Sequence, residues 1–196
     1  MTPEIRAFEF ALGLFSVLIG LAVADIATSF HRLVRGKSAV RWDPLALLAA
    51  LYALLMAIGM WFDLWGIRDV TSTRHFVLYL CLIVQLFVLF LVAAASLPDE
   101  PGHEIDLRQY YAGNRRYFWS LVAIYQAIYF AFGLYFVGAL LSRMPRGLAI
   151  GFLVQMIALV ALPLALVVLR SRLAHYVVLG VLFTVNVWHY AHYSIA

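Results

Sequence analysis

The sequence predicts an all-α integral membrane protein, a bundle of six transmembrane helices. Of its 196 residues, 65% are hydrophobic and 12% are charged, and the mean hydropathy is +0.94. Soluble domains typically contain about 45–50% apolar and about 25% charged residues, so these few charges cannot cover a surface that faces water. The apolar residues also fall in long continuous runs, each near the roughly 20 residues that a helix needs to cross about 30 Å of hydrocarbon. Such runs favour helices over a β-barrel, whose strands alternate in polarity.

The six predicted spans form a single transmembrane domain that covers residues 1–196. The first span differs from the others because it contains Glu9 near one end and Asp25 near the other. We interpret it as a retained span and not as a signal peptide, because its amino-terminal flank is net negative where a signal needs positive charge. The predicted spans are about 8–30, 44–65, 76–97, 117–142, 147–169 and 173–193.

The distribution of Lys and Arg predicts how these spans are oriented. One side of the predicted bundle has nine basic residues: Arg32, Arg35, Lys37, Arg41, Arg108, Arg115, Arg116, Arg170 and Arg172. The other side has five: Arg6, Arg68, Arg74, Arg143 and Arg146. Because loops rich in Lys and Arg stay in the cytoplasm, we expect both termini on the non-cytoplasmic side. The formal net charge of +4 therefore reports topology first, and we expect no nucleic-acid partner.

The connection between the third and fourth spans is the longest and the most acidic. Asp106 is a suitable N-cap, and the apolar residues after it follow helical spacing. We therefore expect the fourth helix to begin before the membrane as an amphipathic extension, with an irregular acidic loop as the alternative. Only three residues separate the fifth and sixth apolar runs, which predicts a tight hairpin.

Small residues recur every fourth position in several spans, a spacing that lets membrane helices pack closely. In the fourth span Ala123, Ala127 and Ala131 lie opposite a face crowded with aromatic side chains, which predicts a packing seam. In the second span the same spacing is expected by chance because the segment is rich in Ala, so it does not by itself predict a packing face.

Each predicted span carries a strongly polar side chain in its interior: Asp25, Asp63, Gln85, Gln126, Gln155 and Asn186, in order. Polar groups at membrane depth are costly, so they usually face the bundle interior, a partner or a water-filled cavity. Interhelical hydrogen bonding is the commonest role of the amides. These six residues therefore predict the inward faces and are candidates for a polar path.

Asp25 has Ser29 and Arg32 on its helical face, four and seven residues further on. This stripe is consistent with a polar vestibule that opens to the cytoplasm. The alternative is a structural ion pair between Asp25 and an arginine such as Arg32, Arg115 or Arg170.

A second group of ionisable residues lies at the predicted outward ends of the spans: Glu9, Asp63, His75, His189 and His192. His with carboxylate suits a divalent metal ion or a proton relay, and His75 with His189 would suit bis-His haem. The alternative is an aromatic interfacial belt, because Trp and Tyr residues share this level. We predict no cofactor, with a metal ion or haem as the alternatives.

Short motifs in the first two thirds of the chain resemble a group of small bacterial multi-pass inner-membrane proteins that has no assigned activity. The motifs are Leu21-Ala22-Val23-Ala24-Asp25, His31-Arg32-Leu33, Trp61 to Trp65, Leu97-Pro98-Asp99 and Asp106-Leu107-Arg108-Gln109-Tyr110-Tyr111. The resemblance implies a multi-pass fold in a bacterial inner membrane. It implies no functional residues.

Three functions remain open, in this order of preference. The first is a small channel or transporter for an ion or small solute, and the second is an accessory or scaffold subunit that binds another membrane protein. The third is a redox or metal-dependent membrane enzyme that uses the outward His and carboxylate group. An enzyme is the less favoured class because phosphate-loop, zinc-protease and serine-hydrolase motifs are absent from the sequence. Besides lipid, we expect a homo-oligomer or a membrane-protein partner.

Overall fold

Six long helices make up most of the chain and confirm the predicted helical architecture. The computed structural model describes residues 3–35, 39–67, 76–99, 104–141 and 144–191. Within these ranges, all six helices contain a segment that is long and apolar enough to cross a membrane. They are α1 (Pro3–Arg35), α2 (Pro44–Ile67), α3 (Phe76–Ala94), α4 (Leu107–Leu141), α5 (Arg146–Val168) and α6 (Arg172–Ala191).

Helices α2 and α6 lie side by side and run in the same direction, because polar contacts join them at both ends. At one end the Arg172 guanidinium lies 2.5 Å from Asp43 Oδ1. At the other end the Tyr190 hydroxyl donates to Asp63 Oδ2 at 2.9 Å. At 1.5 Å per residue these contacts are about 30 Å apart, which is the thickness of a bilayer's hydrocarbon core.

The remaining helices alternate in direction along the chain. Helix α4 starts near the start of α6, since the Tyr111 hydroxyl lies 2.6 Å from His175 Nδ1. The end of α1 meets the segment that follows α3, since the Ser29 hydroxyl donates to Asp99 at 2.9 Å. The segments 39–43, 95–99, 104–106 and 169–171 therefore share one end of the bundle, which we call the basic end. This alternation is what six successive membrane crossings require.

A two-stranded parallel sheet at the basic end was not predicted from the sequence. Strand β1 (Ala39–Arg41) pairs with β2 (Glu104–Asp106), with Val40 opposite Ile105. Three-residue strands are too short for a period-two pattern to reveal them. The sheet fixes β2 directly before α4, where Asp106 Oδ1 accepts from the backbone N–H groups of Arg108 and Gln109 at 2.9 and 3.0 Å. The predicted N-cap of Asp106 and the early start of α4 are thus confirmed.

The most buried helix is α2. Fifty-six per cent of its most apolar stretch is buried, compared with 11% for α5 and 17% for α6. Ala46, Ala53 and Ala57 have no exposed surface, so the small-residue spacing in α2 does mark a packing face. In α4 the expectation holds at Ala123, which is buried, but not at Ala127 and Ala131, which are exposed while Tyr125 on the opposite face is buried. Aromatic side chains of α4 contact α2, since Trp119 stacks with Tyr52 and the Tyr125 hydroxyl lies 3.4 Å from Met60 Sδ.

Candidate functional site

Four of the six predicted polar residues line one small cavity between α2, α4, α5 and α6. Its volume is about 50 Å³, and its lining includes Asp63, Gln126, Gln155, Asn186, His189 and Tyr190. We call it the Asp63 cavity. A water molecule occupies about 30 Å³ of liquid, so this space suits one or two waters or a small ion. Among the described residues that line it, Asp63 is the one carboxylate.

Asp63 is held at the cavity wall by two side chains of α6. Tyr190 donates a hydrogen bond to Asp63 Oδ2 at 2.9 Å, and His189 Nε2 lies 3.9 Å from Asp63 Oδ1. The Asp63 side chain is only 13% exposed. A carboxylate in this setting interacts with its neighbours in a medium of low dielectric, where charge is felt more strongly than in water.

Gly59 makes the Tyr190 contact sterically feasible. A Cβ at this position would lie 2.4 Å from Tyr190 Cε2 and 2.5 Å from its hydroxyl oxygen. Gly59 precedes Asp63 by four residues, so both lie on the same face of α2. The missing side chain therefore creates the space in which the Tyr190 ring reaches the carboxylate.

Further along the cavity, hydrogen bonds orient the amide side chains. Gln126 Nε2 donates to the Tyr52 hydroxyl at 3.3 Å, and Asn186 Nδ2 donates to the Leu182 carbonyl at 2.9 Å. The Tyr125 hydroxyl, which also lines the cavity, points at Met60 Sδ at 3.4 Å. The Gln126 and Tyr125 contacts join α4 to α2, whereas the Asn186 hydrogen bond lies within α6.

Gln155 connects the Asp63 cavity to a wider cleft between α5 and α6. This cleft has a volume of about 550 Å³ and shares Gln155, Val185 and His189 with the cavity. Gln155 is exposed, so it does not face a packed interior as expected but stands at the junction of the two spaces. The cleft therefore adjoins the Asp63 cavity.

Gln85 lies in the packed core and not on the lining of this cavity. It is 1% exposed, and its Nε2 has no hydrogen-bond partner in the described part of the chain. An unpaired buried amide is costly. The inward orientation predicted for Gln85 is correct, but its place in the polar path stays a prediction.

The Asp25 stripe ties α1 to the segment after α3. Ser29 is buried and donates to the Asp99 carboxylate, and Arg32 donates to the Asp99 carbonyl at 2.9 Å. Asp25 itself is half-buried. Among the described residues no ion pair joins Asp25 to an arginine, and two of the three stripe residues hold Asp99 in place.

Only part of the outward His and carboxylate group falls within the described chain. Asp63 and His189 come together, whereas His75 and His192 lie outside the described residues, as does the side chain of Glu9. The described residues contain no group of three or more His, Cys, Asp or Glu side chains arranged to hold a metal ion. The metal and haem hypotheses stay untested.

Sequence reasoning missed the tyrosines of this site. Tyr52, Tyr125, Tyr129 and Tyr190 surround or line the polar interior, whereas their abundance predicts interfacial or packing roles. The spacing of Gly59 and Asp63 on one face of α2 was the one signal in the sequence that a large side chain could reach the Asp63 carboxylate. No protein-family model, curated protein or solved structure matches the chain, so the function is argued from the site alone.

Proposed function

We propose that the protein is a small channel or transporter for protons or small monovalent cations in a bacterial inner membrane, with Asp63 as the ion-binding group. The observation that carries the proposal is the convergence of Asp63, Gln126 and Asn186 on one cavity in the interior of the bundle. Carboxylates at membrane depth usually pair with another group or mark an ion or proton pathway, and Asp63 lines the cavity while its Oδ2 accepts from Tyr190.

The size and chemistry of the Asp63 cavity select the class of permeant species. A space of about 50 Å³ fits one or two waters or a small ion better than an organic solute. Carboxylate, amide and hydroxyl oxygens are hard ligands, which suit cations of groups 1 and 2 and protonated water more than soft transition metals. A single carboxylate balances one positive charge, which favours a proton or a monovalent cation.

Access to this site is the second support for the proposal. The α5–α6 cleft adjoins the cavity at Gln155 and His189. Helix α5 is also the least buried of the six by its most apolar stretch, and α4 is its main neighbour. Motion of α5 relative to α4 and α6 would open the cavity on the side of the cleft.

The test is ion flux into liposomes that contain the purified full-length chain. Proton entry is followed with a trapped pH-sensitive dye under an imposed potential, and Na⁺ and K⁺ entry are measured in parallel. The Asp63→Asn variant keeps the shape of the side chain and an acceptor for Tyr190, and we expect flux to fall at least about tenfold because the charge is lost. Asp25→Asn, the matched intramembrane carboxylate outside the cavity, should change flux less than about twofold.

Two results would contradict the proposal. Wild-type liposomes that pass protons, Na⁺ and K⁺ no faster than protein-free liposomes would exclude transport of these ions. Equal loss of flux in Asp63→Asn and Asp25→Asn would remove the special role of the cavity.

Orientation belongs to the same proposal: the basic end faces the cytoplasm and both termini face outward. In a Cys81→Ser background, a membrane-impermeant maleimide should label Met144→Cys on intact cells. Ser171→Cys, at the basic end, should react only after lysis. The opposite labelling pattern would reverse the topology.

An accessory subunit is the second candidate. The observation that favours it is the low burial of α5 and α6, at 11% and 17%, which leaves a long apolar surface for a neighbouring helix or for lipid. Under this hypothesis, mild extraction should give a stable complex of defined mass, and Asp63→Asn should leave both that complex and ion flux unchanged.

A further inference from the structure

A second, larger cavity lies at the basic end, opposite the Asp63 cavity, and arginines dominate its lining. Its volume is about 580 Å³, within the roughly 300–1,000 Å³ typical of ligand sites. The side chains that define it are Arg108, Arg115, Arg116, Arg170, Arg172 and His175. We call it the arginine pocket. In the sequence these arginines indicate only the topology of the spans. The tertiary structure brings them together in one pocket.

Two separate chain segments supply the guanidinium groups. Arg108 and Arg115 are seven residues apart in α4, close to two helical turns, so both lie on one face with Ala112 between them. Arg170 and Arg172 come from the turn between α5 and α6. The two segments meet because α4 and α6 start beside each other.

The floor of the pocket is a fixed chain of hydrogen bonds. Trp119 Nε1 donates to the Tyr111 hydroxyl at 2.9 Å, the Tyr111 hydroxyl lies 2.6 Å from His175 Nδ1, and His175 Nε2 lies 3.0 Å from the Leu169 carbonyl. A carbonyl only accepts, so His175 Nε2 carries the proton and Nδ1 accepts from Tyr111. All three side chains are buried. The pocket is therefore bounded by groups that are already paired and held in place.

Two of the arginines are tethered from behind the pocket. Asp43, only 4% exposed, holds Arg172 with Oδ1 at 2.5 Å, and Arg115 donates to the Leu169 carbonyl. Arg108, Arg116 and Arg170 are exposed. Across the described part of the chain, Asp43 is the one acidic partner that these five arginines have in an ion pair. The pocket thus has a large excess of positive charge, which an anion would neutralise.

We propose that the arginine pocket binds a phosphate group. The planar guanidinium offers paired N–H donors that match phosphate oxygens, and clustered arginines are typical of phosphate recognition. Basic pockets between helices at a membrane surface bind phospholipid headgroups. Exposed apolar residues adjoin the arginines, with Val168 76% and Leu173 72% exposed, and they favour a phospholipid whose acyl chains lie along α5 and α6. A soluble phosphate is the other source of the same chemistry.

The proposal is tested by titrating the full-length protein in a neutral detergent. The ligands are phosphatidylglycerol, phosphatidylcholine and inorganic phosphate, and native mass spectrometry gives the apparent Kd of each. Wild type should bind phosphatidylglycerol at least about tenfold more tightly than phosphatidylcholine. The pair Arg108→Gln and Arg170→Gln should weaken this binding at least about tenfold. The matched pair Arg35→Gln and Arg41→Gln, at the same end but outside the pocket, should change it less than about twofold.

A pocket-filling variant separates the shaped site from diffuse charge. Gly113 lines the pocket, and a Cβ there would meet nothing within 4 Å, so Gly113→Leu fits in the helix and fills the space while every arginine remains. It should weaken phosphatidylglycerol binding about fivefold or more, because the headgroup loses its place against the guanidinium groups.

The outcomes distinguish a lipid headgroup from a soluble phosphate as the bound group, and two of them would overturn the proposal. Phosphatidylglycerol binding that is sensitive to the pocket variants assigns a lipid headgroup, whereas inorganic phosphate binding with the same sensitivity assigns a soluble phosphate. Equal weakening by the matched control pair, or no preference for either anion over phosphatidylcholine, would overturn the site. The pocket is about a bilayer's thickness from Asp63, so neither result depends on ion flux.

Discussion

Replacing Gly59 by alanine should break the contact between Tyr190 and Asp63 without removing either residue. The new Cβ would lie 2.4 Å from Tyr190 Cε2, whereas non-bonded carbons normally approach to about 3.5–4.0 Å. The ring must therefore move by about 1 Å. A hydroxyl that now donates to Asp63 Oδ2 at 2.9 Å would then be too far away to form that hydrogen bond.

The expected change in the free energy of unfolding of Gly59→Ala follows from two opposing effects. A buried hydrogen bond to a charged group contributes about 1.5–3 kcal/mol, and its loss destabilises the protein. Alanine in a helix interior is about 0.5–1 kcal/mol more favourable than glycine. The free energy of unfolding should therefore fall by about 1–2 kcal/mol.

The assay is denaturant unfolding of the purified protein in mixed micelles, followed by tryptophan fluorescence. Gly180→Ala is the matched control in α6, because a Cβ there meets nothing within 4 Å, and it should stabilise by about 0.5–1 kcal/mol. In a Tyr190→Ala background the Gly59→Ala change should also become stabilising, since the obstructing ring is gone. If Gly59→Ala destabilises equally with and without the Tyr190 ring, the steric explanation is wrong.

Two further stability changes follow from hydrogen bonds at the basic end. Tyr111→Phe leaves the buried Trp119 N–H and His175 Nδ1 unpaired, so the free energy of unfolding should fall by about 2–4 kcal/mol in the same assay. The control Tyr117→Phe, at an exposed position, should change the free energy of unfolding by less than about 0.5 kcal/mol. A similar effect of both substitutions would contradict the hydrogen-bonded chain. Asp106→Ala removes the N-cap of α4 and should destabilise the first turn of this helix by about 1 kcal/mol. The measurement is hydrogen exchange of the backbone N–H groups in that turn, which should become faster. Unchanged exchange would show that the sheet alone fixes the start of α4.

The two polar sites share a structural basis in the α2–α6 pair. Asp43 contacts Arg172 at one end of the pair, and Asp63 contacts Tyr190 at the other. Asp43, directly before α2, and Asp63, within α2, therefore each hold a side chain of α6 in place. The same pair of helices supports a cationic pocket at one end and an anionic cavity at the other.

The sequence by itself determined the number of the helices, but not the short two-stranded sheet. Uninterrupted apolar runs define six helices because a chain in lipid must satisfy its backbone hydrogen bonds within each segment. The cap at Asp106 and the inward positions of Gln85 and Gln126 followed from the cost of unpaired polar groups. These are local rules, so one chain segment at a time is enough to apply them.

Only the tertiary structure decided which polar groups meet. Gly59 admits Tyr190 to Asp63, and Tyr111 pairs with His175, through contacts between residues more than 60 positions apart in the chain. Hydropathy has the same value whichever face a helix turns to its neighbour, so it does not show that α4 packs by its aromatic face or that arginines of two segments converge. Packing complementarity between specific side chains makes that choice, and it is a property of the assembled bundle.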